Sequence, residues 1–435
     1  MSPAALLIVV ALLSSQERPA PPQCREWHEC RQLALDAEGR GHYEAFHDLA
    51  WRAVQTGPGA DTSLMYLLAR AQSLSGRPSD ALVMLQRLAD KGIVTDAATN
   101  GDFARVRNLP GWAALAARLD ARSTGAPAAA STVTPKASGT DERTREEPKR
   151  EGTASAPAAA SPETIRFVES TPTPSGLAYD AVSRRFLIAD RLGRKLSVVD
   201  EFSQHVATLA GSQAGFGDIA ALEIDPRDGD LWVVSGGIDG AHPTLHKLQL
   251  VSGRVLASYP VAESVGPVSL VDVAVTSQDA VLALDANGRR ILRLQPRSAA
   301  LSVAATIAEA GPASLAPAPG GIAFVATQAG VSRIDLSSRL STPVRVPDGL
   351  SLSGVTRIRW HRGALVGVQR QDDGRYRMVR WHLDSRGRAV TKSTVLAADI
   401  VTPAETATSI AGDALYYLAK GDGGFIVARV KLTTK

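Results

Sequence analysis

The stretch PSGLAYDAVSRRFLIADRLGRKLSVVD, Pro174–Asp200, decides the fold. It contains three short apolar runs, SGLAYD, RFLIAD and KLSVVD, and each ends on an aspartate ahead of a polar segment. A period of two broken by turn residues is the pattern of short antiparallel strands. The same cadence returns in AALEIDPRDGDLWVVS, VDVAVTSQDAVLALD, SLAPAPGGIAFVAT, TRIRWHRGALVGVQ and TATSIAGDALYYLA. With the first turn of each copy placed at Asp180, Asp225, Thr276, Ala318, His361 and Ala411, the copies are 42 to 51 residues apart, the length of four strands. Six copies over residues 165–435 predict a six-bladed β-propeller.

Closure of the ring gives an independent check. The last copy ends at GGFIVARVKL, which leaves about three strands where a blade needs four. A lone strand, ETIRFVES, stands ahead of the first copy with nothing before it to pair with. Placed as the outer strand of the sixth blade, it closes the ring and removes an exposed edge. A two-sheet sandwich fits the strand lengths but not the repeats.

Residues 25–122 follow a different period, with Leu and Ala recurring at spacings of three and four. Four helices, or five, fit. RGHYEAFHDLAWRAV and GRPSDALVMLQRLADKG read as the second helices of two hairpins, with Ala45 and Ala81 at equivalent packing positions. This resembles the tetratricopeptide repeat, whose period is about 34 residues. DFARVRNLPGWAALAARL then reads as a capping helix. Residues 123–164 are rich in Ala, Pro, Ser and Thr, with mixed charges and no aromatic residue. Such a segment cannot bury enough apolar surface to offset its ordering entropy, so a disordered linker is expected. The fold class is therefore multidomain: a short helical repeat, a linker and an all-β ring.

The first residues, MSPAALLIVVALLSS, carry an apolar run too short to span a bilayer, followed by small residues. Residues 1–16 read as a secretory signal peptide whose n-region lacks Lys and Arg, and the mature chain is expected to be exported, without a membrane span; the alternatives are an uncleaved N-terminal anchor and a misread start. The two cysteines, Cys24 and Cys30, lie just beyond. In an oxidising compartment they permit a disulfide, provided Cys24 precedes the first helical turn; the alternative is two free thiols. The net charge of +4 over 435 residues, with no Lys/Arg block interleaved with aromatics, gives no nucleic-acid surface.

The motifs PSGLAYD, LIAD and VVD resemble the first blade of the gluconolactonase and regucalcin (senescence marker protein) family, and also NHL-repeat propellers. The resemblance spans the ring. It implies carboxylates or amides at the start of the innermost strands, some of them holding a divalent metal that polarises a lactone and activates water. At the equivalent positions this chain has Ser175, Ala220, Val271, Ala313, Thr356 and Thr406. None is a carboxylate, so the family's metal centre is not carried over. Asp218, Asp272 and Glu405 lie within two residues of those positions. They are either loop and turn carboxylates or a displaced site for calcium or zinc. The candidate ligand-binding residues are thus Ser175, Asp218, Asp272, Thr356 and Glu405, with no catalytic residue assigned.

Other groups say less. Asp190 and Asp285 recur at one point of the blade and are expected to cap turns through backbone N–H groups. His242 and His246 have helical metal-ligand spacing in a strand context. Arg357, Arg359, Arg362, Arg370, Arg375, Arg377 and Arg380, with Trp360, Tyr376 and Trp381 among them, enrich the fifth blade in positive charge and are expected on a solvated outer face; the alternative is a site for an acidic partner or an anionic glycan. No GxSxG or HExxH motif is present. The expected function is a non-enzymatic, exported binding or scaffold protein that recognises a protein partner through its helical repeats or propeller face. The alternatives are a lactonase-like metal-dependent hydrolase and an envelope small-molecule sensor.

Overall fold

The computed structural model describes residues 24–58, 61–123, 163–167, 173–201, 204, 206–238, 241–278, 280–400, 407–421 and 424–432. The segment read as a signal peptide, most of the expected linker, and Glu405 lie outside the described residues.

The N-terminal pattern forms five α-helices: α1 (Trp27–Gly39), α2 (Tyr43–Thr56), α3 (Thr62–Leu74), α4 (Pro78–Asp90) and α5 (Trp112–Ser123). α1 packs on α2 and α3 on α4, the two hairpins expected of the repeat, and α5 packs on α4. Local signals set the boundaries. Asp61 caps α3 by accepting from Ser63 N (2.8 Å) and Leu64 N (3.2 Å), and Pro78 opens α4, where its missing N–H costs nothing. Cys24 precedes the first turn of α1 and is disulfide-bonded to Cys30, with the two Cα atoms 5.2 Å apart. The bridge sits in the core, since both cysteines are buried.

From Pro174 onward the chain forms a six-bladed β-propeller, each blade a four-stranded antiparallel sheet. The inner strands are Pro174–Asp180, Ile219–Ile224, Leu270–Val275, Ser314–Ala318, Val355–His361 and Thr408–Ala411, here blades 1 to 6. Each ends at or within one residue of the turn anchor read from the sequence. Consecutive inner strands are neighbours, and the blade 6 strand lies beside the blade 1 strand, so the ring closes. The latch is as expected. Glu163–Phe167 pairs antiparallel with Gly424–Lys431, from Glu163 opposite Arg429 to Phe167 opposite Phe425, and supplies the fourth strand of blade 6. At the seam, Tyr179 N donates to Ser409 Oγ (3.1 Å), and the Tyr179 and Tyr416 rings lie 4.5 Å apart.

Aspartates at the strand ends hold the turns. Asp180 Oδ1 accepts from Val182 N and Ser183 N. Asp190 Oδ1 accepts from Thr173 N (3.0 Å) and Gly193 N (3.1 Å), and Asp285 Oδ1 from Ser269 N (2.9 Å), Asn287 N and Gly288 N. These are the capping roles read from the sequence.

The helical repeat does not stand apart from the ring. A single hydrophobic cluster runs from Phe46, Trp51, Leu85 and Leu88 into Val182, Leu187, Leu231 and Leu248, so the helices share a core with blades 1 and 2. Trp51 lies against Gly229, in the turn after the blade 2 inner strand. A Cβ there would come within 2.6 Å of the indole, and the backbone is left-handed at φ +71°, so two constraints select glycine. The Gln55 amide spans the joint, donating to the Pro226 carbonyl and accepting from Trp51 Nε1, each at 2.7 Å. Arg87 faces Asp200 at 3.6 Å.

Candidate functional site

The inner strands place the candidate residues. In blades 1, 2, 3 and 5 the ladder between the first two strands skips one residue near its start, between Pro174 and Gly176, Ile219 and Ala221, Leu270 and Asp272, and Val355 and Arg357. The skipped residues are Ser175, Ala220, Val271 and Thr356, four of the positions aligned from sequence. A bulge re-aims the residues around it and occurs often beside binding sites. Here the bulged side chains serve the frame. Ser175 is buried and donates to the Ile219 carbonyl (2.6 Å), tying blade 1 to blade 2, and Thr356 Oγ1 reaches only its own blade, the Val368 carbonyl, at 3.5 Å.

In blades 3 and 5 the residue after the bulge is charged, Asp272 and Arg357. Asp272 is fully buried and lies at the centre of an ion-pair knot. Its Oδ2 is 3.1 Å from Arg359 Nη1 and its Oδ1 is 3.1 Å from Arg357 Nη1. Ser314 Oγ (2.9 Å) and Leu315 N (2.8 Å) also donate to Oδ2, and Val273 N (3.1 Å) donates to Oδ1. Asp272 belongs to blade 3, Ser314 to blade 4 and the arginines to blade 5. Contacts between blades that are not neighbours pass inside the ring, so the knot occupies the axial channel. Burial alone would raise the Asp272 carboxyl, but the Arg359 and Arg357 guanidiniums outweigh it and hold the group below the ordinary carboxylate range.

Glu223 enters from blade 2, opposite blade 5. It is half-buried, and burial pushes its carboxyl up to about 7, against the pull of Arg359 and Arg357 and with the push of Asp272. The channel thus holds one carboxylate that is fixed and paired and one whose carboxyl is raised toward neutral pH.

This corrects two expectations. Asp272 is neither a turn carboxylate nor a free metal ligand, because two guanidiniums, a hydroxyl and two backbone N–H groups occupy its oxygens. Asp218 is exposed, with its Oδ1 3.3 Å from Arg194 Nε, and the structure does not bring it to Asp272's partners. Among the described residues no group of three or more His, Cys, Asp or Glu side chains is arranged to hold a metal ion. The arginines of blade 5 are also not all on a solvated face: Arg357, Arg359 and Arg380 are buried, and Arg380 Nη1 donates to the Leu432 carbonyl.

The two histidines part company. His242 is exposed and lines an open cleft of about 240 Å³ with Pro243, Val261, Glu263 and Val268. His246 is buried, bonded through Nε2 to Ser235 Oγ (3.1 Å) and through Nδ1 to Ser258 Oγ (3.0 Å). Burial lowers it to about 4, so it is neutral at physiological pH.

A second charged cluster lies at the joint between helices and ring. Asp80 of α4 is buried, and its Oδ1 has no hydrogen-bond partner. Burial pushes it up to about 7, opposed by Arg77 and Arg185 and reinforced by Asp230 and Asp180. Lys247 bridges Asp228 (2.8 Å) and Asp230 (2.9 Å) beneath it.

The sequence reading missed Glu223 and the roles of Arg357 and Arg359. The signal was present in VTRIRWH, Val355–His361, where two arginines alternate with apolar residues on an inner strand. A charge at that period inside a ring has to find a partner across it.

No protein-family model matches the sequence, and no curated protein matches it. Solved structures similar to the chain include the aldose sugar dehydrogenase of Streptomyces coelicolor in its PQQ-bound form, 13% identical over 63% of this chain and 99% of that one, with a TM-score of 0.43. Another is virginiamycin B lyase from Staphylococcus aureus, 15% identical over 63% and 89%, TM-score 0.42. A third is a gluconolactonase from Xanthomonas campestris, 14% identical over 60% and 88%, TM-score 0.42. Their activities do not carry over to this chain at such identities.

Proposed function

We propose that the protein is a non-enzymatic binding protein of the cell envelope, in which the helical repeat and the propeller together present one recognition surface to a protein partner. The observation that carries this reading is the Asp272 knot. It commits the channel's buried aspartate to ion pairs with Arg357 and Arg359, where a lactonase-like site needs carboxylates free to hold a metal. The shared core of helices and ring supports a single rigid surface in place of two beads on a string. Export is part of the proposal, and the buried Cys24–Cys30 bridge fits an oxidising compartment.

The test pairs two measurements on the full-length chain. Metal content is determined by elemental analysis alongside turnover of simple lactones, and partners are captured with the full chain and with a chain beginning at residue 161. The proposal expects no lactone turnover and a partner lost on removing the helices. Stoichiometric calcium or zinc that disappears in Asp218→Asn or Glu405→Gln, together with lactone hydrolysis, would establish the metal-dependent hydrolase instead.

A further inference from the structure

The outer strands of blades 4 and 5 are Leu340–Pro343 and Val390–Ile400, and the segment just after the first meets the start of the second through a parallel bridge between Arg345 and Ala389. Arg345 N donates to the Arg388 carbonyl (3.0 Å), Val390 N to the Arg345 carbonyl (2.9 Å), and Arg333 Nε to the Arg386 carbonyl (3.0 Å). These bonds hold the segment after Pro343, and the strand that carries Arg333, beside the turn leading into Val390. The side chains they gather are basic. Arg339, Arg345, Arg386, Arg388 and Lys392 are exposed, and Arg333 is half-buried.

The carboxylates of the same turns are spent on the backbone. Asp335 Oδ1 accepts from Ser337 N (3.0 Å) and Ser338 N (3.2 Å), and Asp384 Oδ1 from Arg386 N (3.1 Å) and Arg388 N (2.7 Å). Those caps fix the turns and leave the guanidiniums without an ion pair among the described residues. The rim therefore carries an excess of four positive charges, or three with the exposed Asp348 counted. That equals or nearly equals the net charge of the entire chain, +4. Two of the most exposed aliphatic side chains, Leu340 (59%) and Val346 (40%), stand among these cations.

This combination selects among anionic partners. A single-stranded nucleic acid would need aromatic stacking platforms, and the one large aromatic exposed among the described residues is Tyr43, on the helical repeat. An acidic peptide that added a strand to the long edge Val390–Ile400 would meet register shifts at three points and Lys392, the features that blunt an edge. Projecting turns with cations around exposed aliphatic residues suit a flat, negatively charged, partly apolar surface. We propose that the rim of blades 4 and 5 is a contact surface for an anionic phospholipid bilayer, with the cations on lipid phosphates and Leu340 and Val346 entering the headgroup layer. The contact is peripheral and independent of whatever the helical repeat binds.

The experiment is co-sedimentation of the full chain with vesicles of phosphatidylglycerol and phosphatidylcholine, against vesicles of phosphatidylcholine alone, at low and high salt. The expected result is binding to the anionic vesicles only, falling steeply with salt. The combined Arg345→Glu, Arg386→Glu and Arg388→Glu variant should lose partitioning by at least about a hundredfold. Leu340→Ser should weaken binding severalfold with an unchanged salt slope. The milder Arg345→Gln, Arg386→Gln and Arg388→Gln variant, checked for a wild-type melting temperature, covers the case in which charge reversal disturbs the turns. Equal binding to both vesicle types, wild-type binding by the glutamine variant, or capture by polyglutamate without any vesicle binding would each overturn the proposal.

Discussion

Arg359 reaches inside blade 4 to close on Asp272, with Nη1 3.1 Å from Oδ2 and Nη2 3.4 Å from Oδ1. Removing the carboxylate leaves two guanidiniums buried without their counter-charge. Asp272→Ala is expected to destabilise the ring by about 3–5 kcal/mol, read as a shift in the urea midpoint. Replacing Asp272, Arg357 and Arg359 together by leucine should cost much less, because the desolvation penalty of all three charges disappears as well.

Gly229 and Trp51 set the joint between helices and ring. Gly229→Val places a branched Cβ where the indole ring lies and forces it into a left-handed backbone. The expected outcome is undocking of the helices, seen as a larger radius of gyration and faster proteolysis within residues 124–162. Trp51→Ala should lower stability by about 3–5 kcal/mol through lost burial.

Asp80 makes stability depend on pH. Its native carboxyl is raised to about 7, above its unfolded value, so its contribution is fully present below about pH 4 and is lost as pH rises through 7. Asp80→Asn, neutral throughout, should flatten that part of the profile. At pH 8 it is expected to be more stable than the wild type, by up to about 4 kcal/mol. Melting temperatures of both proteins at pH 4 and pH 8 decide the matter, and parallel profiles would falsify the assignment. Asp230 is raised as well, first by burial and then by Asp228, so the wild-type slope does not belong to Asp80 alone.

The latch predicts a truncation series. A chain beginning at residue 161 keeps Glu163–Phe167, and one beginning at residue 172 exposes the edge of Gly424–Lys431. Both forms bare the face of blades 1 and 2 that the helices cover, so the comparison isolates the latch, and the longer form should elute with the smaller aggregated fraction. The shorter one is expected to aggregate or to bind an added peptide carrying the ETIRF sequence, measured by size exclusion.

The sequence made the ring legible because strand alternation, turn chemistry and a repeat near 45 residues all act locally and agreed with one another. Asp180, Asp225 and His361 fell where inner strands end, and Ser175, Ala220, Val271 and Thr356 fell on bulges. The channel chemistry was less legible. Asp272 meets Arg359 over a separation of 87 residues, and alternation on one strand says which face a charge takes without naming what it meets. The docking of the helices was hidden for a similar reason. Trp51, Leu85 and Leu88 read as the core of a repeat, and nothing local distinguishes a helix face packed on another helix from one packed on the end of a blade.

The strand Glu163–Phe167 pairs with residues 425–429, so the ring's first strand in sequence is the last to find its place. During synthesis or translocation the helices of residues 27–123 can pair within their hairpins as they emerge and then need only blades 1 and 2 to dock on, but the latch waits for almost the entire ring. Until then blade 6 has no fourth strand and two sheet edges lie open. Ring closure, which must bring residues 163–167 and 425–429 together, is therefore expected to be the slow step in assembling this protein.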